Sequence, residues 1–210
     1  MLTVFIILLI VNAINLIDGI DGLASSLTFL ILVAFTYLYY ELKSTLFSLI
    51  CISLAGALLA FFLFNFYGKA EKLKIFMGDS GSLFLGYVIA YLAIKYQMIH
   101  EQKLLPNQDE SILFSFSLVF IPCIDVIRVA IQRILKKKPI FDADKTHIHH
   151  RIMDIGFGMH TTLAIILCLF SCLCLINWGL FTAGIPITYI FIADILIYSL
   201  FIGCIGWLRK

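Results

Sequence analysis

Charge is what this sequence has least of. Only 13% of its 210 residues are Asp, Glu, Lys or Arg, against 62% hydrophobic residues. Soluble domains carry about 25% charged and about 45–50% apolar residues. So large an apolar excess cannot hide in one soluble core and must face lipid. The formal net charge of +2 is too small to draw in nucleic acid, which excludes that partner class. No two cysteines have Cys-x-x-Cys spacing, and Cys51, Cys123, Cys168, Cys172, Cys174 and Cys204 all lie in apolar runs. Neither a disulfide framework nor a zinc site is indicated, and they read as small hydrophobes in membrane helices. Internal repeats, low-complexity tracts and a separate soluble segment are also absent. The first apolar run has no basic flank and no small-residue cleavage site, so the expectation is a retained span and not a secretory signal.

Seven apolar stretches are present, at 1–14, 24–40, 45–66, 81–97, 112–132, 162–178 and 185–207. In a bilayer they must be helices, because a helix satisfies its own backbone hydrogen bonds. The predicted fold is an all-α polytopic membrane bundle of seven spans, one transmembrane domain over residues 1–210. The first stretch is short against the roughly 20 residues a span needs. It is expected either to sit partly within the protein or to be cut by the chain start.

Basic residues orient the bundle. Loops 15–23, 67–80 and 133–161 and the C-terminal end carry Lys69, Lys72, Lys74, Arg133, Lys136, Lys137, Lys138, Lys145, Arg151, Arg209 and Lys210. The opposite side carries only Lys43, Lys95 and Lys103, and Arg128 lies inside a span. Eleven against three places the first set on the cytoplasmic side. Three polar clusters then fall on that side, which points to one active site there.

The first cluster is Asn12-Ala-Ile-Asn15-Leu-Ile-Asp18-Gly19-Ile-Asp21-Gly22. Two carboxylates at a membrane helix mouth are expensive to desolvate, although Asp and Asn also serve as helix caps. The second is Gly78-Asp79-Ser80-Gly81-Ser82 leading into a helix, where N–H groups and hydroxyls suit phosphate and Asp79 offers a hard oxygen suited to magnesium. An N-cap without a ligand would read the same way. The third is His147-Ile-His149-His150-Arg151, preceded by Asp142, Asp144 and Lys145. These side chains suit a pyrophosphate, or a solvated basic loop. Asp125 and Arg128, three apart on one helix, can pair in the membrane or bring Asp125 to the cytoplasmic site. Asp194 matches no motif.

The stretches NAINLIDGIDGLA, FLFN, IFMGDSGSLFLGY, PCIDVIRVAIQRI and HIHHR, in that order, resemble the polyprenyl-phosphate sugar-1-phosphate transferases, glycosyl transferase family 4. His-x-His-His-Arg is more similar to the hexosamine-phosphate branch than to the peptidoglycan branch. The resemblance implies transfer of a sugar 1-phosphate from a UDP-sugar to a polyprenyl phosphate with release of UMP, at the cytoplasmic face of a bacterial inner membrane. It implies Asp18, Asp21 and Asp79 as catalytic carboxylates, with Asp79 the ligand of magnesium, or alternatively manganese. Asn15 would face the nucleotide, Phe76 would stack on uracil, and Asn65 would sit near the ribose. His147, His149, His150 and Arg151 would contact pyrophosphate and sugar. A second copy of the chain is a further candidate partner. Part of the family has a shorter gap than the one between Asn65 and Asp79. The family's N-terminal half, with its Asp-Asp pair, has no counterpart here, so the chain is expected to be the C-terminal portion of the family fold. The rival readings are a truncated non-catalytic membrane protein, a peptidoglycan-precursor phosphotransferase and a transporter, and a transporter would bury its ionisable residues deep in the spans.

The charge bias yields a test. In a Cys-free background, cysteines replacing Ser80 and Lys145 should react with an impermeant reagent from the same side of the membrane. Labelling from opposite sides would contradict the topology.

Overall fold

Hydrocarbon offers the backbone no hydrogen-bond partner, and the chain answers with helices. The computed structural model describes residues 1–68, 73–103, 108–137, 139 and 146–208. Lys69, Lys72, Lys138, Asp142, Asp144, Lys145, Arg209 and Lys210 lie outside the described residues. The elements are α1 (Leu2–Ile17), α2 (Leu23–Glu41), α3 (Thr45–Tyr67), α4 (Gly78–Gln102), α5 (Gln108–Leu135), α6 (Ile148–Asp154), α7 (Met159–Thr182) and α8 (Ile187–Leu208). Six of them, α2 to α5, α7 and α8, are long and apolar enough to cross a membrane, and α1 is a shorter apolar helix. The protein is an all-helical, polytopic integral membrane protein.

The helices overrun the apolar stretches because their polar ends keep helical geometry. α1 continues to Ile17, so Asn15 sits in its last turn and not in a loop. α4 starts at Gly78, so Asp79, Ser80 and Gly81 form its first turn. The seven-residue α6 lies within the stretch read as a polar connection, too short to register as an apolar run.

The chain divides into two compact units, Met1–Val119 and Phe120–Lys210. In the first, α1 packs on α4 and α2 packs on α3 and α4. The α1–α4 contact is antiparallel in register, with Val11 against Gly86 and Asn15 against Ser82. A Cβ on Gly86 would stand 2.7 Å from Val11 Cα and 3.0 Å from Val11 O. Gly86 therefore permits the close backbone approach that drives membrane helix pairing, where packing replaces the hydrophobic effect. Toward the other ends of α2 and α4, the buried Tyr39 hydroxyl donates to Leu92 O at 2.7 Å. Around it Phe35, Phe47 and Tyr96 form an aromatic cluster with tilted, stacked and edge-on contacts. Large apolar side chains on α3, such as Leu49, Leu59 and Leu63, point outward, as a lipid-facing helix requires.

In the second unit α6 packs on α7 and α8, and α7 packs on α8. Asp194, fully buried on α8, accepts a hydrogen bond from Asn177 Nδ2 on α7 at 2.9 Å. This ties the α7–α8 hairpin together away from the motif residues, a partner that the sequence did not reveal. Leu175, Leu196 and Leu200 are exposed on the same two helices.

Gly86→Ala should destabilise the protein in detergent by about 1–3 kcal/mol, the usual cost of overpacking. Gly56→Ala on α3, where a Cβ meets nothing within 4 Å, should be neutral or mildly stabilising. Denaturant unfolding of both variants checks the pair.

Candidate functional site

The polar residues of the first unit gather where α1 ends, α2 and α4 begin and α3 ends. Asn15 makes the joint. Its Nδ2 donates to Ser82 Oγ at 2.9 Å and to Asp79 Oδ1 at 3.3 Å. Residues 64 and 67 positions away in the sequence are thereby tied to the first motif. Asp18 follows at the C-cap of α1, and Asp21 lies in the turn before α2.

Capping does not explain these carboxylates. The N-cap of α2 is Gly22, in the left-handed region at φ 82°, and no side chain caps that helix. α4 likewise has no side-chain cap, and Gly78 at φ 65° opens it. Asp79 is exposed in the first turn of α4, beside N–H groups that a helix start leaves without intrahelical partners. The positive end of the helix dipole points to the same place.

Asn65 is buried near the end of α3, with both ends of its amide engaged. Its Oδ1 accepts from Gly22 N at 2.7 Å and its Nδ2 donates to Ile75 O at 2.8 Å. It clamps the Asp21-Gly22 turn to the segment that enters α4. This shared support explains why the FLFN stretch belongs with the two motifs. Phe76 is 73% exposed, with Lys74 Nζ 5.5 Å from its ring centroid. Lys74 also pairs with Asp21.

The three carboxylates are electrostatically distinct. Asp21 is paired with Lys74, and Asp79 is held by Asn15. Asp18 forms no ion pair among the described residues. Although the residue is exposed, partial desolvation at the helix end, with the neighbouring charges of Asp21 and Asp79, pushes its carboxyl above the ordinary value. Among the described residues no group of three or more His, Cys, Asp or Glu is gathered closely enough to hold a metal ion. One or two carboxylates with a substrate's phosphates and water can still complete a magnesium shell.

The His-rich segment belongs to the second unit. His147 is the N-cap of α6, and His149, His150 and Arg151 lie on its first turn. His149 is 1% exposed, and neither ring nitrogen has a hydrogen-bond partner among the described residues. Burial, with His150 and His147 nearby, pushes it down to about 4, so at neutral pH it is an uncharged imidazole. The His147 and His149 rings lie parallel with centroids 6.1 Å apart. The Asp125–Arg128 pair forms, with Nη2 to Oδ1 at 2.6 Å. The same carboxylate accepts from His147 Nδ1 at 2.8 Å. The sequence left Asp125 between a pair with Arg128 and a place near the site. The carboxylate pairs with Arg128 and also meets His147, 22 positions away, a contact invisible in the chain's periodicity.

Asp18 gives a pH-dependent outcome. A raised folded-state pKa means that this group's contribution to stability is present below its ordinary pKa and lost as pH rises through the folded value. With chelator present, Asp18→Asn should raise the unfolding temperature at pH 7, and the gain should vanish at pH values below about 4, the ordinary Asp range. Thermal unfolding at the two pH values checks this.

Comparison with known proteins agrees with these motifs. Residues 1–97 match the model of the family described as "Glycosyl transferase family 4". The chain is 33% identical over 165 residues to the "Probable undecaprenyl-phosphate N-acetylglucosaminyl 1-phosphate transferase" of Bacillus subtilis, covering 79% of this chain and 43% of that protein. It is 32% identical over 124 residues to the "Decaprenyl-phosphate N-acetylglucosaminephosphotransferase" of Mycobacterium tuberculosis, covering 57% of this chain and 30% of the relative. It is 25% identical over 156 residues to the "Undecaprenyl-phosphate alpha-N-acetylglucosaminyl 1-phosphate transferase" of Escherichia coli K12, covering 74% of this chain and 41% of the relative. The chain thus spans less than half the length of these relatives. The similarity to glycosyl transferase family 4 lies in residues 1–97, which hold the Asn15, Asp18, Asp21 and Asp79 motifs.

Proposed function

We propose that the chain carries the nucleotide-sugar side of a membrane phosphotransferase, moving an N-acetylhexosamine 1-phosphate from a UDP-sugar to undecaprenyl phosphate. The observation that carries this reading is the Asn15–Asp79–Ser82 network at the uncapped start of α4. It anchors the exposed Asp79 carboxylate, with the exposed Ser80 hydroxyl next to it, beside the N–H groups of the helix start, the groups that a metal-bound diphosphate needs. The names of the relatives support the lipid acceptor and the amino sugar.

The donor set fits a magnesium or manganese ion. Asp79, exposed and oriented by Asn15, would hold it, with Asp18 as the second carboxylate. When bound, that cation would neutralise the diphosphate. The raised Asp18 carboxyl supports a nearby cation, which would offset the repulsion from Asp21 and Asp79. The exposed face of Phe76 would take the uracil, and Asn15 would position the nucleotide. Asn65 would sit near the ribose, and its clamp on Gly22 N and Ile75 O would hold the surrounding backbone in place. His147, His149, His150 and Arg151 would serve the pyrophosphate and sugar. In the reaction, an oxygen of the lipid phosphate bonds to the sugar-linked phosphorus. The bond from that phosphorus to the bridging oxygen breaks, and UMP leaves with the electron pair. Both units would act as one catalytic domain, with the loops on the cytoplasmic face of a bacterial inner membrane, where the lipid acceptor and the soluble nucleotide meet.

The test is UMP release from UDP-N-acetylglucosamine in the presence of undecaprenyl phosphate and magnesium. Asp79→Asn keeps size and most hydrogen bonding but removes the charge. Turnover should fall by about two orders of magnitude, equivalent to roughly 2.7 kcal/mol of transition-state stabilisation. Near-normal turnover of Asp79→Asn at low magnesium would remove Asp79 from the metal site.

A further inference from the structure

The proposed reaction leaves Lys74 without a role, yet this residue meets two members of the mouth at once. It lies in the connection from α3 to α4, and α3 holds the backbone there. A Cβ on Gly68, the C-cap of α3, would stand 2.8 Å from Lys74 Cα and 2.9 Å from Leu73 O. A side chain at Gly68 would therefore collide with this backbone. Asn65 Nδ2 holds the next carbonyl, Ile75 O, at 2.8 Å. Residues 73–75 are thus pinned before the chain enters α4.

The lysine side chain is held as well. Its ammonium pairs with Asp21, and the two side chains are only 22% and 18% exposed. The same ammonium lies over the Phe76 ring, 5.5 Å from its centroid. A cation in that place is attracted by the negative face of the ring. Phe76 is 73% exposed, so packing does little to fix it and most of its surface is open to a flat ligand. A lysine in water is a mobile, strongly hydrated charge. Asp21 removes that mobility and sets the ammonium where the ring meets it. The pair also neutralises Asp21, which leaves Asp18 and Asp79 as the carboxylates available to a cation.

We infer that Lys74, fixed by Asp21, is a positioning residue that orients the Phe76 ring for the base of the nucleotide sugar. The inference rests on the proposed function for the identity of the base. It gives Lys74 no contact with phosphate, unlike the usual task of a lysine beside a diphosphate. The two roles separate by ligand. A lysine that acts through the ring matters as much for a nucleoside as for a nucleotide. One that binds phosphate matters for the nucleotide alone.

The experiment is titration of the full chain in lipid nanodiscs with uridine, and with UDP plus magnesium. Lys74→Met keeps the stem and removes the charge. It should lower both affinities by the same factor, about fivefold, the scale of one exposed cation–π contact. Lys74→Arg keeps a charge that stacks on aromatic faces and should bind nearly as the wild type does. Phe76→Leu should weaken both ligands, and adding Lys74→Met to it should cost nothing more, a non-additivity that general destabilisation would not produce. NMR of the ligand-free chain labelled with 13C-lysine, with Lys74 assigned through Lys74→Arg, gives a readout that needs no ligand. The ε-methylene protons of Lys74 should be shifted upfield by the ring current of Phe76 and return to the ordinary range in Phe76→Leu. Lys74→Met that weakens UDP but not uridine overturns the inference. So do additive losses in the double variant, an arginine variant as weak as the methionine one, or a Lys74 signal that Phe76→Leu leaves unmoved. A wild type that binds neither uridine nor UDP overturns the functional reading instead, while the ring-current shift still decides whether Lys74 holds the ring.

Discussion

The polar mouth of the first unit depends on the hydrogen bonds from Asn15 to Asp79 and Ser82. They join the last turn of one helix to the first turn of another. They are possible only because Gly86, one turn further along α4, lets the backbones of α1 and α4 come together. A polar amide at the helix end gives the steric contact a direction. The close packing sets the distance, and the amide sets which carboxylate stands at the mouth. Asn65 does the equivalent work from α3, by holding the Gly22 turn and the Ile75 carbonyl at once.

The resulting mouth is electrostatically uneven, and that unevenness is chemically useful. Asp21 is satisfied by Lys74, whereas Asp18, though exposed, has like charges and partial desolvation acting on it. A site built for stability alone would pair both or replace one. A site that receives a cation together with an anionic diphosphate gains from a carboxylate left in need of positive charge. The second unit follows the opposite rule. Asp125 is surrounded by donors, and its surplus hydrogen-bonding capacity goes into orienting His147.

Hydropathy made most of the helices legible in the sequence, because lipid contact demands long apolar runs. It misplaced their polar ends, since Asn15 and the Gly78–Gly81 turn remain helical without being apolar. It also passed over α6, whose seven residues include two histidines and an arginine. The motif carboxylates were legible as a group, because ionisable residues are costly at a membrane helix mouth. The division of labour among them was not. The Asp21–Lys74 pair, the Asn65 clamp and the Asp194–Asn177 tie all join residues far apart in the chain. Tyr198 reaches Asp125 across 73 positions, with no local pattern to announce it.

The central claim is that the polar mouth is a receptor for a metal-bound nucleotide diphosphate. Equilibrium dialysis of radiolabelled UDP-N-acetylglucosamine against the chain in lipid nanodiscs tests this most directly. The account predicts saturable binding that requires magnesium, is displaced by UDP and is lost with chelator. Binding that is absent, or that is equally strong with and without magnesium, would contradict it.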